Sequence, residues 1–129
     1  YYMTGEDLRT GAKFEDNICQ VTFPIDVHAT DPKKTKGIES KPFKSKPYQI
    51  PLRALVARDL DGLMLAGRCI SGDFIAHSSY RVTGNAVAMG EAAGITSAIA
   101  AKEKSLPHDV PFSALQKAAQ THASHSFRK

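Results

Sequence analysis

The chain has 129 residues, a net charge of +4 at pH 7 and no tryptophan, a length that suits one domain of ordinary size. It contains 8 Leu, 8 Ile, 6 Val and 6 Phe but 17 Ala, so large side chains for an independent core are scarce. No stretch approaches the roughly 20 apolar residues of a membrane helix, and two cysteines are too few for a disulfide framework. We therefore expect a fragment or a partner-dependent domain.

The first 28 residues predict a short helix followed by an edge strand. Thr4 can cap a helix that runs through Leu8, because acidic residues follow in its first turn. From residue 20 to residue 28 apolar and polar residues alternate, which predicts a half-buried strand. Its inner face would carry Val21, Phe23, Ile25 and Val27. Pro24 places this strand at a sheet edge, because proline has no N–H to donate.

A lysine-rich segment, residues 31–47, comes next. It contains three prolines and six lysines, namely Lys33, Lys34, Lys36, Lys41, Lys44 and Lys46. This composition predicts an exposed, irregular loop. The segment has one aromatic residue, Phe43, and no arginine, so the stacking platforms and guanidinium forks of nucleic-acid binding are lacking. We expect no nucleic-acid partner.

Two short elements are predicted after the lysine-rich loop. Pro51 can open a helical turn that carries Leu52, Leu55 and Val56. The continuous apolar run at residues 63–67 is bounded by glycines, which is typical of a strand covered on both faces in a parallel sheet. A polar loop would then connect this strand to the next helix.

A long helix is predicted from Ser79 to Lys102. Its small residues Ala86, Gly90 and Gly94 recur every four positions and form a ridge on which another backbone or a flat ligand can lie closely. Each glycine weakens an isolated helix by about 1 kcal/mol relative to alanine, so close packing is the favoured reason for them. We expect the apolar face around Val82, Met89 and Ala93 to need a further cover, through dimerisation or rearrangement of the chain.

Together these elements predict a mixed α/β fold with few strands and a long glycine-containing helix. A last helix is predicted from Ser113 to Ala123, burying Leu115, Ala118, Ala119 and His122. Ligands of open parallel sheets bind where helix amino ends present free N–H groups, so residues 81–85 predict a site for an electron-rich group. Cys19 and Cys69 lie in no metal-binding spacing, so we predict buried thiols and no metal.

Four blocks of the sequence resemble the carboxyl-terminal part of FAD-dependent oxidoreductases, which have an FAD/NAD(P)-binding Rossmann-like fold. The blocks are residues 48–55, 63–71, 76–82 and 88–94. The Gly-x-Gly-x-x-Gly turn through which such proteins bind the ADP half of FAD does not occur in the 129 residues. The resemblance implies that residues 48–129 complete the FAD-binding domain and that residues 1–47 are a remnant of a substrate-side domain.

The resemblance also implies a flavin site. Gly67 and Arg68 would border the ribityl and pyrophosphate part of FAD, and Arg81, Val82, Thr83, Gly84 and Asn85 would lie near the flavin ring. Backbone N–H groups of residues 83–85, aimed at the N1 and C2 carbonyl edge, would favour the negative charge that develops on reduction. Catalysis would require the full-length chain, so the expected partner is the amino-terminal FAD-binding part, and this segment alone is not expected to retain FAD.

Individual roles stay open at this stage. His77 is the candidate catalytic residue, since imidazole suits acid or base work near neutral pH, but bracing the loop by hydrogen bonds explains it equally well. Arg81 either binds an anionic group or holds the loop through backbone carbonyls. Asp26 and His28 either reach a substrate chamber or form a local salt bridge. The substrate would be a small molecule, and a homo-oligomer is possible.

Two functions of other classes compete with the flavoprotein interpretation. A carbohydrate lyase could use Arg81 to neutralise a uronate carboxylate and His77 or Tyr80 to move the proton. A non-catalytic interaction module could use Lys33, Lys34 and Lys36 to bind an acidic partner in a salt-dependent way. The composition does not decide the cellular compartment.

Overall fold

The computed structural model describes residues 1–28 and 43–126, with side chains described as far as Thr121. The helices are α1 (Gly5–Thr10), α2 (Phe74–Tyr80), α3 (Thr83–Glu103) and α4 (Phe112–Ser126), and the strands are β1 (Asn17–Val21) and β2 (Tyr48–Pro51). Three 3₁₀ turns lie at Leu52–Ala54, Gly67–Cys69 and Pro107–Asp109. The mixed α/β class is confirmed. Residues 31–42 of the predicted lysine-rich loop lie outside the described residues. Its last part, residues 43–47, forms no helix or strand.

Local sequence signals account for α1. The side chain of Thr4 accepts from the backbone N–H of Asp7, and the carboxylate of Asp7 accepts from the N–H of Thr4 at 2.8 Å. This reciprocal cap satisfies two N–H groups that the helix itself leaves unpaired. Gly11 ends the helix with a φ of 75°, a left-handed conformation that glycine adopts without a steric penalty. The predicted helix is confirmed.

The first strand is shorter than the alternating pattern predicts. β1 pairs antiparallel with β2, with Gln20 opposite Gln49, and it ends at Val21 instead of continuing to residue 28. Val21, Ile25 and Val27 are buried as predicted, but Phe23 is 37% exposed. The ladder ends because the backbone beyond Val21 bonds to α2: the Ser79 hydroxyl donates to the Phe23 carbonyl, and the Asp26 N–H donates to the Ser78 carbonyl.

The predicted buried strand at residues 63–67 is wrong. Met64 forms only an isolated antiparallel bridge with Val56, Leu63 is 40% exposed, and Gly67 begins a 3₁₀ turn. A strand covered on both faces needs neighbouring strands and covering helices, and the described residues form only the two-stranded β1–β2 sheet. The described part of the chain therefore contains no parallel sheet.

The structure has two helices where the sequence predicts a polar loop followed by one long helix. Residues 74–80 form α2, whose first turn is capped by the Asp73 carboxylate accepting from the N–H of Ala76 at 2.8 Å. The helical path breaks at Arg81 and Val82, and α3 then continues to Glu103. His77 consequently lies on a helix and not in a loop. α4 begins one residue before the predicted last helix and confirms its position.

The core lies between β1, β2, α1, α2 and α3. Its largest fully buried side chains include Tyr48, Tyr80, Met3, Leu8, Ile25, Ile50, Leu55 and Met89. Met89 needs no cover from a second copy, because the chain's own core encloses it, while Val82 and Ala93 are half-buried.

The remaining burial predictions are confirmed in part. On α4, Leu115 is buried, Ala118 and Ala119 are half-buried, and the side chain of His122 lies outside the described part. Cys19 is buried as predicted, but Cys69 is exposed, because it lies at the end of a surface 3₁₀ turn. Among the described residues, no helix has the length and apolar character needed to cross a membrane.

Candidate functional site

The 3₁₀ turn at residues 67–69, called the Gly67 turn below, lies against the beginning of α3. The buried N–H of Gly67 donates to the Sδ of Met89 at 3.2 Å. Gly67 has a φ of 68°, and a Cβ at this position would lie 3.3 Å from the Cβ of Ala86. Glycine is required here by both conformation and space. The structure thus brings the predicted residues Gly67 and Arg68 next to the helix whose first turn contains Thr83, and Arg68 is exposed.

The amino end of α3 is open to an electron-rich group. Its N-cap is Val82, no side chain caps the end, and no acidic residue lies in the first turn. Thr83 and Gly84 are exposed, and a Cβ on Gly84 would have no neighbouring side chain within 4 Å. The first N–H groups of a helix have no partner inside the helix and carry partial positive charge. These residues fit the carbonyl edge of a flavin.

The side chain of Asn85 points away from this open end. Its Nδ2 donates to the carbonyl of Tyr80 at 3.4 Å, and its Oδ1 accepts from the thiol of Cys19 at 3.9 Å. Burial raises the pKa of the Cys19 thiol, which keeps this donor protonated. The side chain of Asn85 therefore links α3 to α2 and β1. It does not cap the amino end of α3.

His77 is half-buried on α2. Its ring meets the ring of Tyr80 edge to face, with centroids 5.4 Å apart. In the described part of the chain its imidazole has no carboxylate partner, unlike His28. The geometry shows packing against Tyr80, and the catalytic role of His77 stays a prediction.

Arg81 holds the backbone of another segment. Its Nη2 donates to the carbonyl of Asp26 at 2.9 Å, which matches the second of the two roles that the sequence left open. The carboxylate of Asp26 contacts Nε2 of His28 at 2.9 Å, so these two residues form the local pair. The segment around Asp26 is thereby joined to the end of α2, immediately before α3.

The three side chains of the lyase interpretation do not form an exposed set. Tyr80 is fully buried and its hydroxyl donates to the carbonyl of Ile70 at 2.9 Å. Burial is the largest cause that raises the pKa of Tyr80 to about 12, so this phenol is a poor proton carrier near neutral pH. Arg81 is already bonded to Asp26. The lysines of the interaction-module interpretation lie outside the described residues.

Two residues that hold the elements around the site were not found from the sequence. Asp73 accepts from the N–H of Gly5 at 2.7 Å and so joins α1 to α2, and Met89 accepts from Gly67. Apolar periodicity indicated that Met89 is part of a helix face, but no local signal shows which distant N–H its sulfur meets. A cap signal at Asp73 was available in the sequence, since aspartate before a helix is a favoured N-cap.

One cavity lies away from the predicted site residues. A cavity of about 190 Å³ between β1, α3 and α4 is lined by residues that include Ile18, Ala92, Ile95, Phe112 and Leu115, and it contains none of the predicted site residues. In the part of the chain that the structure describes, no three His, Cys, Asp or Glu side chains are placed to hold a metal ion. The candidate site is an open surface formed by the Gly67 turn and the first turn of α3.

Comparison with known proteins gives a family. The family described as FAD dependent oxidoreductase matches residues 1–118. No curated protein and no solved structure matches the chain. The family match covers most of the sequence, including all four blocks from which the resemblance was drawn and every residue of the candidate site. The chain belongs to the FAD-dependent oxidoreductase family.

Proposed function

We propose that this chain is the carboxyl-terminal part of a flavoprotein oxidoreductase, that it helps to bind FAD and close its site, and that redox catalysis requires a nucleotide-binding part outside these 129 residues. The observation that carries the proposal is the adjacency of the Gly67 turn to the uncapped amino end of α3. Two stretches that the family resemblance assigns to different parts of one FAD lie side by side, Arg68 of the turn is exposed, and no side chain of the described chain caps the amino end of α3.

The exposed face of α3 is nearly free of charge. From Thr83 to Ala101 the helix carries one charged residue, Glu91. Val87 is 65% exposed on this face, and a Cβ on Gly90 or Gly94 would meet nothing within 4 Å. A solvated helix face normally carries charged side chains. We propose that this face packs on the Rossmann-like sheet of the nucleotide-binding part, where glycines permit a close approach.

Each site residue has a proposed task. When bound, FAD would supply the acceptor for the electrons of the substrate. The N–H groups of Thr83, Gly84 and Asn85 would face the electron-rich edge of the ring and favour its reduced, negatively charged form. Arg68 would bind the pyrophosphate through its exposed guanidinium. His77 would hold or move a proton during the reaction, and the division at residue 47 into a substrate side and a flavin side remains part of this proposal.

The first experiment asks whether the full-length protein is a flavoprotein. We expect it to purify with bound flavin, and we expect the 129-residue chain alone to bind FAD weakly. A full-length protein that lacks flavin and does not take up added FAD would contradict the proposal.

A designed pair of variants then tests the position of the flavin. In Thr83→Asp an acid enters the first turn of α3, which stabilises a helix but repels an electron-rich ligand. We expect FAD affinity to fall about tenfold, which corresponds to 1.4 kcal/mol. Ser113→Asp places the same acid in the first turn of a different helix, α4, and should leave FAD affinity unchanged. Equal FAD affinity in the two variants would show that the amino end of α3 does not contact FAD.

His77 requires a separate measurement. In the flavin-loaded protein, His77→Gln should leave FAD affinity within about twofold and lower turnover about 100-fold, since general acid and base groups contribute roughly 10²- to 10⁴-fold. Full turnover in this variant would leave His77 only its packing against the Tyr80 ring within α2.

A further inference from the structure

Among the described residues, one polar contact joins the Gly67 turn to α3. The Gly67 turn follows the bridge residue Met64, whereas α3 begins only after α2 has intervened. Between them, the N–H of Gly67 donates to the Sδ of Met89 at 3.2 Å, and both groups are buried. Nothing else in the described chain accepts a hydrogen bond from this N–H.

The sulfur has a role that its volume alone does not explain. A thioether is a weak acceptor, but leaving a buried N–H without any acceptor destabilises the fold. Leucine has nearly the volume of methionine and no acceptor, so it would fill the same space and leave Gly67 unpaired. The neighbouring contact is also tight, because a Cβ on Gly67 would lie 3.3 Å from Ala86. The turn therefore has little room to find another partner.

Met89 is well placed to transmit this contact to the flavin. It lies less than two helical turns from Thr83, on the same continuous helix. We propose that Met89 is a positioning residue. Its sulfur holds the Gly67 turn at a set distance from the first turn of α3, and this distance determines how tightly the turn and the helix bind FAD. This inference rests on the proposed function.

The test compares Met89→Leu with Met3→Leu. Met3 is also fully buried, but in the described chain its sulfur makes no hydrogen bond, so this control removes a buried sulfur without removing an acceptor. In the 129-residue chain, hydrogen exchange measured by NMR should show the Gly67 N–H exchanging about tenfold faster in Met89→Leu and unchanged in Met3→Leu. In the flavin-loaded full-length protein, FAD affinity should fall about tenfold in Met89→Leu alone.

The two measurements separate the possible failures. Unchanged Gly67 exchange in Met89→Leu overturns the inference, whatever the flavin does. Faster exchange with unchanged FAD affinity also overturns it, because the contact would then be structural only. If the wild-type full-length protein binds no FAD, the proposed function fails, and the positioning role that depends on it fails with it, while the exchange result still reports whether the sulfur holds the turn. Faster exchange together with weaker FAD binding supports the inference.

Discussion

The guanidinium of Arg81 donates to the carbonyl oxygen of Asp26 at 2.9 Å. The N–H of Asp26 in turn donates to the carbonyl of Ser78 at 3.1 Å, so one peptide segment is held from both sides by the end of α2. This clamp lies immediately before the amino end of α3. It places the segment that follows β1 beside the candidate flavin site and gives Arg81 a structural task.

Removing this clamp should destabilise the chain. Arg81→Gln loses a hydrogen bond from a charged donor, a contact that contributes about 1.5 to 3 kcal/mol. We expect the free energy of unfolding to fall by about 1.5 kcal/mol in urea titrations followed by circular dichroism. Arg58→Gln is the matched control, because Arg58 and Asp59 form a fully exposed pair at 3.7 Å that contributes about 0 to 1 kcal/mol. Equal stability of the two variants would show that the Asp26 contact contributes nothing.

Gly72 should not tolerate a side chain. A Cβ there would lie 2.8 Å from the Oη of Tyr80 and 3.2 Å from the carbonyl oxygen of Met3. Tyr80 cannot move away freely, since its ring is buried and its hydroxyl is bonded to Ile70. Gly72→Ala should therefore lower stability by about 1 to 3 kcal/mol, the usual cost of overpacking, measured by calorimetric unfolding. An unchanged melting temperature would show that the contact can relax.

Gly90 should behave in the opposite way. It lies inside α3, and a Cβ there would meet nothing within 4 Å. Alanine is favoured over glycine in helices by about 1 kcal/mol, so Gly90→Ala should stabilise the 129-residue chain by about that amount. Under the proposed function the same variant should weaken packing on the nucleotide-binding part, seen as faster FAD loss from the full-length protein. A destabilised 129-residue chain would show that this face is already covered.

Alkaline pH should unfold the chain partly through Tyr80. Burial raises the pKa of Tyr80 from 10.0 to about 12, so the folded state favours the neutral phenol. This contribution to stability is complete below pH 10 and is lost as the pH rises through about 12. In Tyr80→Phe, the unfolding free energy should fall less steeply over this range than in the wild type. The residual fall would include Tyr1, whose pKa is also raised to about 12. Parallel pH profiles would contradict the assignment to Tyr80.

The two cysteines should differ strongly in reactivity. Cys69 is exposed and Cys19 is buried, and burial raises the pKa of the Cys19 thiol, which lowers its thiolate fraction. Alkylation with iodoacetamide, followed by mass spectrometry, should label Cys19 on the order of 100-fold more slowly than Cys69 in the folded chain. Both should react at similar rates in urea. Fast labelling of Cys19 under native conditions would show that the contact with Asn85 opens readily.

Features that depend on neighbours in the sequence were predictable. The cap between Thr4 and Asp7 spans one helical turn, so α1 could be predicted from residue types alone, and apolar spacing located α4. The four sequence blocks indicated the family that the match over residues 1–118 shows. These signals are local, because helix capping and periodicity act within a few residues.

Features that depend on distant partners required the tertiary structure. The alternating pattern after Val21 predicts that the strand continues. It does not reveal that the backbone beyond Val21 bonds to Ser78, Ser79 and Arg81 and not to a neighbouring strand. The apolar run at residues 63–67 indicates burial on both faces, yet the described chain has no strands to flank it. The sequence by itself determined the family, helices α1 and α4, and most of α3. Only the tertiary structure decided that the Gly67 turn meets Met89, because a hydrogen bond between distant residues depends on how the whole core packs.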